Sequence, residues 1–343
     1  MMDSETLEVS SKQLPYFRTS EFSEIMLDSE RILKKLLRTA DDSKIAFLTA
    51  SGSGAMDAAV SEIFTRNDKL LVVNGGSFGR RFCEICEFHE IEHEEIKLAF
   101  GEILTVEHLV KYDGKGFTGF LVNIDETSVG QLYDIKIISE FCKRNGLVLI
   151  VDAISSFLAD PLDMDGYEID AVILSSQKAM ALSPGISAVV LNNKTYESRI
   201  LKNKPASYYL SLRSHIENQK RGQTPFTPAV GVLLELNEKL NRIEKIGLDK
   251  WIENIRELSE YFRNKAREAG IEIPSFPLSN AVTPICVHGQ AQTIFRRLWD
   301  EYQIYITPSG GDLKDDLLRV GHLGNLHKQD YDDLIKALKE ILQ

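Results

Sequence analysis

Two neighbouring apolar segments of the chain each end in a residue that can do chemistry. The run Leu147–Val151 stops at Asp152, and the run Ala171–Leu174 is followed after three residues by Lys178. Apolar runs without polar alternation are typical of parallel strands that are covered on both faces. Because open α/β sheets bind ligands at the carboxyl ends of their strands, we expect the acid and the amine to face one crevice.

An aspartate and a lysine in this arrangement suit pyridoxal phosphate. A lysine can bind the aldehyde of that cofactor covalently, and an aspartate can keep its ring nitrogen protonated so that the ring accepts electrons. Each residue also has an ordinary alternative, since most lysines are solvated and an aspartate after a strand often caps a helix. The pair alone leaves the choice open.

A turn of small residues could hold the phosphate. Ser51, Gly52 and Ser53 follow a predicted strand, Ile45–Thr49, and precede a predicted helix from about Ala55 to Phe64. A strand, a small-residue turn and a helix together present backbone N–H groups to an anion. A purely structural turn has the same composition, so the sequence leaves both a phosphate-binding role and a structural role possible.

Further candidates follow two other predicted strands. Phe78 lies in a glycine-rich turn after Leu70–Val73, where an aromatic ring could stack on a planar cofactor or pack against the next helix. Thr127 and Ser128 follow Phe117–Ile124, where their hydroxyls could reach the cofactor or cap the next helix.

Two arginines could bind anionic groups. Arg319 lies inside an apolar run, Leu317–Val320, where a charge is unfavourable unless it meets an anion. A guanidinium fits a carboxylate with two parallel hydrogen bonds, although a structural ion pair is the alternative. For Arg18, a ligand role and a surface ion pair are equally open.

The elements that must position these residues alternate as strand and helix from about residue 45 to 195, which predicts a mostly parallel sheet. We predict an α/β fold with an N-terminal segment over residues 1–20, a large domain over 21–245 and a small α+β domain over 246–343. The first dozen residues are expected to be loose or draped over another surface. Thr227–Pro228 is expected to start the helix Val230–Ile243, and Ile304–Ile306 is expected to be a strand.

Composition excludes several classes of protein. The chain has 343 residues and a net charge of −11, which disfavours a nucleic-acid-binding protein. No apolar run approaches the ~20 residues that span a bilayer, and no signal peptide is evident. Four cysteines do not make a disulfide framework in a chain of this length. A cytoplasmic protein without nucleic-acid or membrane partners is therefore expected.

Two short motifs resemble metal sites. Cys83 and Cys86 form a C-x-x-C pattern without a second pair at zinc-site spacing. His89, Glu90 and His93 match H-E-x-x-H, which needs both histidines on one helix. The helix is expected to end within this segment, so we predict a solvated acidic edge and no metal site.

Together, the motifs resemble class V, fold-type I pyridoxal-phosphate-dependent aminotransferases. The similarity extends from FRTSEF to RVGHLGN and is greatest to the subgroup of 2-aminoethylphosphonate–pyruvate, serine–pyruvate and alanine–glyoxylate transaminases. This resemblance implies a large cofactor-binding domain, a smaller C-terminal domain and a homodimer with shared active sites. It also implies ping-pong transfer of an amino group from 2-aminoethylphosphonate, alanine or serine to pyruvate or glyoxylate.

The resemblance assigns a role to each candidate. Lys178 matches the lysine that binds the cofactor and moves a proton, and Asp152 matches the partner of the ring nitrogen. The other implied cofactor contacts are Ser51, Gly52, Ser53, Phe78, Thr127, Ser128, Gln177 and, from the other subunit, Thr227. Arg319 matches the arginine that binds the substrate carboxylate, and Arg18 is a candidate for a second anionic group.

The chain departs from the family pattern at two places. The region before Arg18 is shorter than usual, and Val129 stands where a hydroxyl residue is frequent, so both departures weaken the substrate assignment. Cysteine desulfurases share the fold, but they usually have His before the lysine and a late reactive Cys. Here Gln177 precedes the lysine and no cysteine follows Cys286. A lyase or desulfurase, a zinc hydrolase and a cofactor-binding regulatory module are the less favoured alternatives.

Overall fold

A computed structural model describes residues 2–342 of the chain. The α-helices are α1 Ser4–Ser10, α2 Ser20–Leu36, α3 Gly52–Ile63, α4 Ser77–Phe88, α5 Val106–Val110, α6 Ile135–Asn145, α7 Asn193–Thr195, α8 Leu212–Gln219, α9 Val230–Ile246, α10 Leu248–Glu268, α11 Ala291–Tyr302 and α12 Lys328–Leu342. The strands are β1 Lys44–Leu48, β2 Lys69–Asn74, β3 Glu92–Lys97, β4 Gly119–Asn123, β5 Asp125–Glu126, β6 Gln131–Leu132, β7 Val148–Asp152, β8 Ala171–Ser175, β9 Ser187–Leu191, β10 Val282–Cys286, β11 Thr307–Pro308 and β12 Leu317–Gly321.

The central sheet has seven strands in the order β1-β9-β8-β7-β4-β2-β3. Only β9 runs against its neighbours, so the sheet is mostly parallel, as predicted. Every residue of β4, β8 and β9 is buried, because hydrophobic clusters and helices cover both faces of the sheet.

Strand direction brings the candidate residues to one edge of this sheet. Because β9 is antiparallel to both β1 and β8, strands β1, β8, β7, β4 and β2 all point the same way. Their carboxyl ends therefore meet at one edge, where ligands bind in open α/β sheets.

The C-terminal part forms an antiparallel sheet, β10-β12-β11, with its own hydrophobic cluster against α10, α11 and α12. The predicted strand Ile304–Ile306 is wrong, because pairing begins at Thr307. The preceding residues close α11 instead, since Gln303 has a left-handed conformation and the Ile304 amide donates to Leu298 O. The domain boundaries near residues 20 and 245 stay predictions.

The N-terminal segment was expected to be loose or draped over another surface, and the structure shows the second of these arrangements. Residues Ser4–Ser10 form a helix that packs on α9, and Thr6 is fully buried there. Asp3 caps this helix and forms ion pairs with Lys239 and Arg242 of α9. Because the Lys239 side chain is only 2% exposed, its charge needs this partner.

The predicted start of α9 at Val230 is confirmed, but the expectation that Thr227 caps this helix and Pro228 is its first residue is wrong. The helix begins at Val230, and the capping residue Ala229 has no side chain that can accept a hydrogen bond. The Ala229 amide donates instead to the hydroxyl of Thr49, just after β1. The start of α9 is therefore fixed by a tertiary contact rather than by a local capping residue.

Candidate active site

A cavity of about 290 Å³ lies at the carboxyl edge of the central sheet. Eight residues predicted from the sequence line it, namely Ser51, Gly52, Ser53, Phe78, Thr127, Asp152, Gln177 and Lys178. Four further residues complete the lining, namely Met56, Arg81, Ile154 and Ser155. Residues from five separate segments of the sequence thus meet in one place.

Asp152 is the last residue of β7, Lys178 follows the adjacent strand β8, and both face the same cavity. Asp152 is 6% exposed, and its Oδ1 accepts a hydrogen bond from the amide of Ile154 at 2.8 Å. Burial raises the pKa of this carboxyl to about 7. A cationic ring nitrogen in the cavity would favour the ionised carboxylate and be stabilised by it.

The amine of Lys178 is free to react. Within residues 2–342, Nζ has no hydrogen-bond or ion-pair partner, although the side chain is half-buried. Burial lowers the pKa of Lys178, and the positive charge of Arg319 adds to this effect. A larger fraction of neutral amine at physiological pH makes the lysine a better nucleophile.

The amino end of α3 forms an anion-binding cradle. Its capping residue Ser51 makes no side-chain hydrogen bond to the helix, and the amides of Gly52 and Ser53 have no backbone partner in the described chain. A Cβ at Gly52 would lie 2.5 Å from Ile154 Cδ1, so a larger residue would displace the wall of the cavity. Free N–H groups at the start of a 12-residue helix suit a phosphate.

Phe78 and Arg81 lie in the first turns of α4 and line the cavity together. The Arg81 guanidinium lies 4.9 Å from the centre of the Phe78 ring and donates to Ser53 Oγ at 3.0 Å. The carboxylate of Glu126, which is fully buried, accepts hydrogen bonds from the Phe78 and Gly79 amides. Glu126 therefore positions α4 by satisfying its free N–H groups.

The two predicted hydroxyl residues after β4 differ in position. Thr127 lines the cavity, and its hydroxyl lies 2.6 Å from that of Ser155. Ser128 does not line it, because its hydroxyl donates to Glu126 and accepts from the Ser77 amide. Ser128 therefore takes part in positioning the start of α4.

Arg319 lies at the border of the site, on β12. Its guanidinium donates to Thr127 O at 3.2 Å and to Pro308 O at 3.0 Å, and the buried Nε has no partner in the described chain. Two main-chain carbonyls hold the group in place, and within residues 2–342 the guanidinium forms no ion pair with a carboxylate. Arg319 can therefore bind an anion that enters beside Lys178.

Arg18 and Thr227 are not brought into the cavity. Arg18 is exposed, and its Nη1 donates to Gln223 Oε1 at 3.1 Å and to Thr224 O at 2.9 Å. Thr227 is also exposed and does not contribute to the lining. Their predicted contacts with substrate and cofactor stay predictions.

The H-E-x-x-H segment does not form a zinc-protease site. Helix α4 ends at Phe88, and His93 lies in β3, so the two histidines do not share a helix. His89 Nε2 lies 2.6 Å from Asp57 Oδ1 instead. The zinc-hydrolase alternative therefore lacks its structural basis.

Sequence reasoning missed four lining residues. Arg81 and Ser155 could have been considered, because each lies a few residues beyond a strand end that was already a candidate. Met56 in α3 and Ile154 just after β7 gave no signal, since apolar residues at such positions are ordinarily part of the core.

The arrangement fits pyridoxal phosphate. A free amine, a buried acid, an aromatic wall and a phosphate-binding helix end surround one cavity. These groups match the aldehyde, the ring nitrogen, the ring face and the phosphate of the cofactor.

In the part of the chain that the structure describes, no helix has the length and apolar character needed to cross a bilayer.

Comparison with known proteins agrees with the geometry. The aminotransferase class V family pattern matches residues 10–310. An uncharacterized aminotransferase from Methanocaldococcus jannaschii is 29% identical over 333 residues, covering 94% of this chain and 86% of that protein. An alanine–glyoxylate aminotransferase from Felis catus is 29% identical over 353 residues, with 98% and 84% coverage.

The fold is similar to that of a solved alanine–glyoxylate aminotransferase from Nostoc sp. The TM-score is 0.93 at 22% sequence identity, over 100% of this chain and 93% of that one. Because the family pattern covers most of the sequence and the cavity has the matching groups, the chain belongs to the class V aminotransferases, fold-type I enzymes that depend on pyridoxal phosphate.

Proposed function

We propose that this aminotransferase moves an amino group from a small donor to pyruvate or glyoxylate by a ping-pong mechanism. The proposed donors are 2-aminoethylphosphonate, alanine or serine. The observation that carries the proposal is the free amine of Lys178, which shares a cavity with the buried acid Asp152 and the open amino end of α3. The cat relative is named an alanine–glyoxylate aminotransferase, which favours alanine and glyoxylate within this set.

The size of the cavity supports a small substrate. Its volume of about 290 Å³ lies at the lower limit of the roughly 300–1,000 Å³ that ligand sites usually have. A bound cofactor would fill much of this space. A donor with a short side chain fits the remainder better than a long or aromatic one.

The proposed cofactor contacts use the groups that the cavity presents. Asp152 would hold the ring nitrogen, Phe78 would lie against the ring, and Ser51, Gly52 and Ser53 would bind the phosphate. Gln177 and Thr127 complete the lining, with Gln177 Oε1 already accepting from Ser175 Oγ at 2.6 Å. Arg81 would be a further phosphate contact, because its guanidinium donates a hydrogen bond to Ser53.

Different residues of this chain transfer the proton and orient the substrate. When bound, the cofactor supplies an aldehyde that accepts the amino group and a ring that accepts electrons. Lys178 Nζ, with its lowered pKa, takes the proton from Cα of the donor. Arg319 orients the donor by its carboxylate, so that the Cα–H bond faces this amine.

The proposal includes a homodimer in the cytoplasm. Thr227 is exposed on its own subunit, as expected of a residue that completes the site of a partner. A second anion contact by Arg18 remains part of the proposal for a phosphonate donor. Sedimentation velocity of the purified protein would test the dimer, since a monomer would remove any role for Thr227 in a shared site.

The decisive experiment is Lys178→Ala, with Lys194→Ala as a control at an exposed lysine. Removing the general base should lower multiple-turnover transamination at least about 10³-fold, whereas the control should keep wild-type activity. Borohydride treatment of the wild type should attach the cofactor to the peptide that contains Lys178. Substantial turnover by Lys178→Ala would refute the assigned role.

A donor panel tests the substrate separately. Alanine, serine and 2-aminoethylphosphonate are each added without acceptor, and conversion of the cofactor to its pyridoxamine form is followed by absorption. At least one of them should react faster than aspartate or phenylalanine. If the larger donors react faster, the small-donor proposal fails while the aminotransferase assignment stands.

A further inference from the structure

A cluster of potential metal ligands lies outside the active site, between α4 and β3. Within residues 2–342, ligand atoms of Cys83, His93 and Glu95 all lie within 4.8 Å of one another. The three residues come from two elements that pack together, the middle of α4 and the edge strand β3. We propose that Cys83, His93 and Glu95 form a zinc site, with water as the fourth ligand.

Strand geometry explains why only part of the histidine-rich segment reaches this place. Successive side chains of a strand point to opposite faces, so His93 and Glu95 share the face that α4 covers. Glu92 and Glu94 point the other way, where both form ion pairs with Lys69. The strand thus separates a pair of ligands from a pair of ordinary surface acids.

The donor set suits zinc. Thiolate, imidazole and carboxylate are the groups that bind Zn²⁺ in proteins, and three protein ligands with one open position form a recurrent arrangement. One thiolate and one carboxylate would balance the charge of the ion. His93 and Glu95 are half-buried, so the fourth position can take a water molecule.

Neighbouring groups already orient two of the ligands. Asn74 Nδ2 donates to Glu95 Oε2 at 2.6 Å, whereas Glu95 Oε1 lies 3.8 Å from the exposed Lys97 Nζ, a distant surface ion pair that the metal ion would replace. His93 Nδ1 lies 3.4 Å from Ile91 O, and in the proposed site this nitrogen donates there while Nε2 binds zinc. Such outer contacts are a regular feature of metal sites because they fix the ligand orientation.

The remaining ligand must lose a proton when zinc binds. Cys83 is 3% exposed, and its thiol donates a hydrogen bond to Gly79 O, with 3.5 Å between the sulfur and the oxygen. Zinc binds the thiolate, so zinc binding should release this proton, one per site. The ion would then tie the edge strand to α4, the helix that carries Phe78 and Arg81 into the active site.

The test measures zinc bound to the untagged, cofactor-loaded enzyme after treatment with a chelator and equilibrium dialysis. We expect one zinc per chain, a melting temperature that rises with zinc concentration, and cobalt d–d bands of a thiolate site when Co²⁺ replaces zinc. Cys83→Ser and His93→Ala should each weaken zinc binding by at least about 10-fold.

Two matched controls lie in the same segment. Cys86 is on the same helix and His89 belongs to the literal H-E-x-x-H motif, but neither is in the cluster. Cys86→Ser and His89→Asn should bind zinc as the wild type does. If Cys83→Ser does not fold, the half-buried His93→Ala decides the result. Absence of bound zinc in the wild type, or equal binding by His93→Ala, would overturn the proposal.

Discussion

Replacing Asp125 by asparagine should remove the loss of stability at higher pH that comes from burying a carboxyl group. Asp125 lies in β5, is 2% exposed and has no hydrogen-bond partner for either carboxylate oxygen in the described chain. The nearby hydroxyls of Ser155 and Ser279 are occupied by Thr127 and Asp160. Burial, and then the charge of Asp160, raise the pKa of Asp125 from 3.8 to about 8.

The sign of the effect follows from this upward shift. The folded protein keeps a proton that the unfolded chain loses above its own pKa of 3.8. Below that pH the contribution of Asp125 to stability is fully present. It is lost as pH rises toward 8, with a slope of about 1.4 kcal/mol per pH unit. Between pH 5.5 and 7.5 the wild type should therefore lose about 2–3 kcal/mol of unfolding free energy through Asp125.

The assay compares urea unfolding of the wild type and Asp125→Asn at these two pH values. Asparagine does not titrate, so the stability difference should shift by about 2–3 kcal/mol in favour of the variant between the lower and the higher pH. Asp41→Asn changes the same atoms at an exposed position and should show no such change. A difference between Asp125→Asn and wild type that stays constant with pH would refute the reasoning.

Three further substitutions test other contacts. Asp3→Ala removes a helix cap and the partner of a buried lysine, so the free energy of unfolding at pH 7 should fall by about 2 kcal/mol, measured by urea denaturation. Gly79→Ala places a Cβ 2.4 Å from a main-chain carbonyl oxygen of β2, so it should lower both the free energy of unfolding and the affinity for the cofactor. In the control Gly231→Ala, the nearest atom to the new Cβ lies at 3.5 Å, so the same urea and cofactor titrations should show a neutral or stabilising effect. Arg319→Ala should raise the KM for carboxylate substrates about 100-fold with a smaller change in kcat, and a proportionate fall in kcat alone would contradict a role in substrate binding.

Much of the candidate site could be predicted from the sequence because its residues follow strands directly. Asp152 and Lys178 are fixed by the ends of two apolar runs, and Ser51 to Ser53 by the turn after another. Once the strands are parallel, chain direction alone brings such residues to one edge of the sheet. The family match over residues 10–310 confirms the predicted resemblance and the cofactor, while the individual roles await the experiments above.

Local expectations failed where a distant contact replaced a local signal. The first dozen residues were expected to be loose or draped over another surface, but no local pattern predicted that Asp3 pairs with Lys239 and Arg242 of α9, more than two hundred residues away. Thr227 and Pro228 were expected to be the cap and the first residue of α9, yet Ala229 precedes the helix and its amide donates a hydrogen bond to the Thr49 hydroxyl. The local sequence around Asp3 or around Thr227 contains no information about these contacts with α9 and with Thr49.

By itself, the sequence determined which segments become buried strands and which chemical groups stand at their ends, because periodicity and covalent neighbours act over short distances. Only the tertiary structure decided that Arg81 reaches the cavity, that Asp125 is buried without a partner and that Cys83 meets His93 and Glu95. These features depend on how helices lie across the sheet. The packing of helices against the sheet sets these distances, and neither hydrophobic periodicity nor the spacing of short motifs reports it.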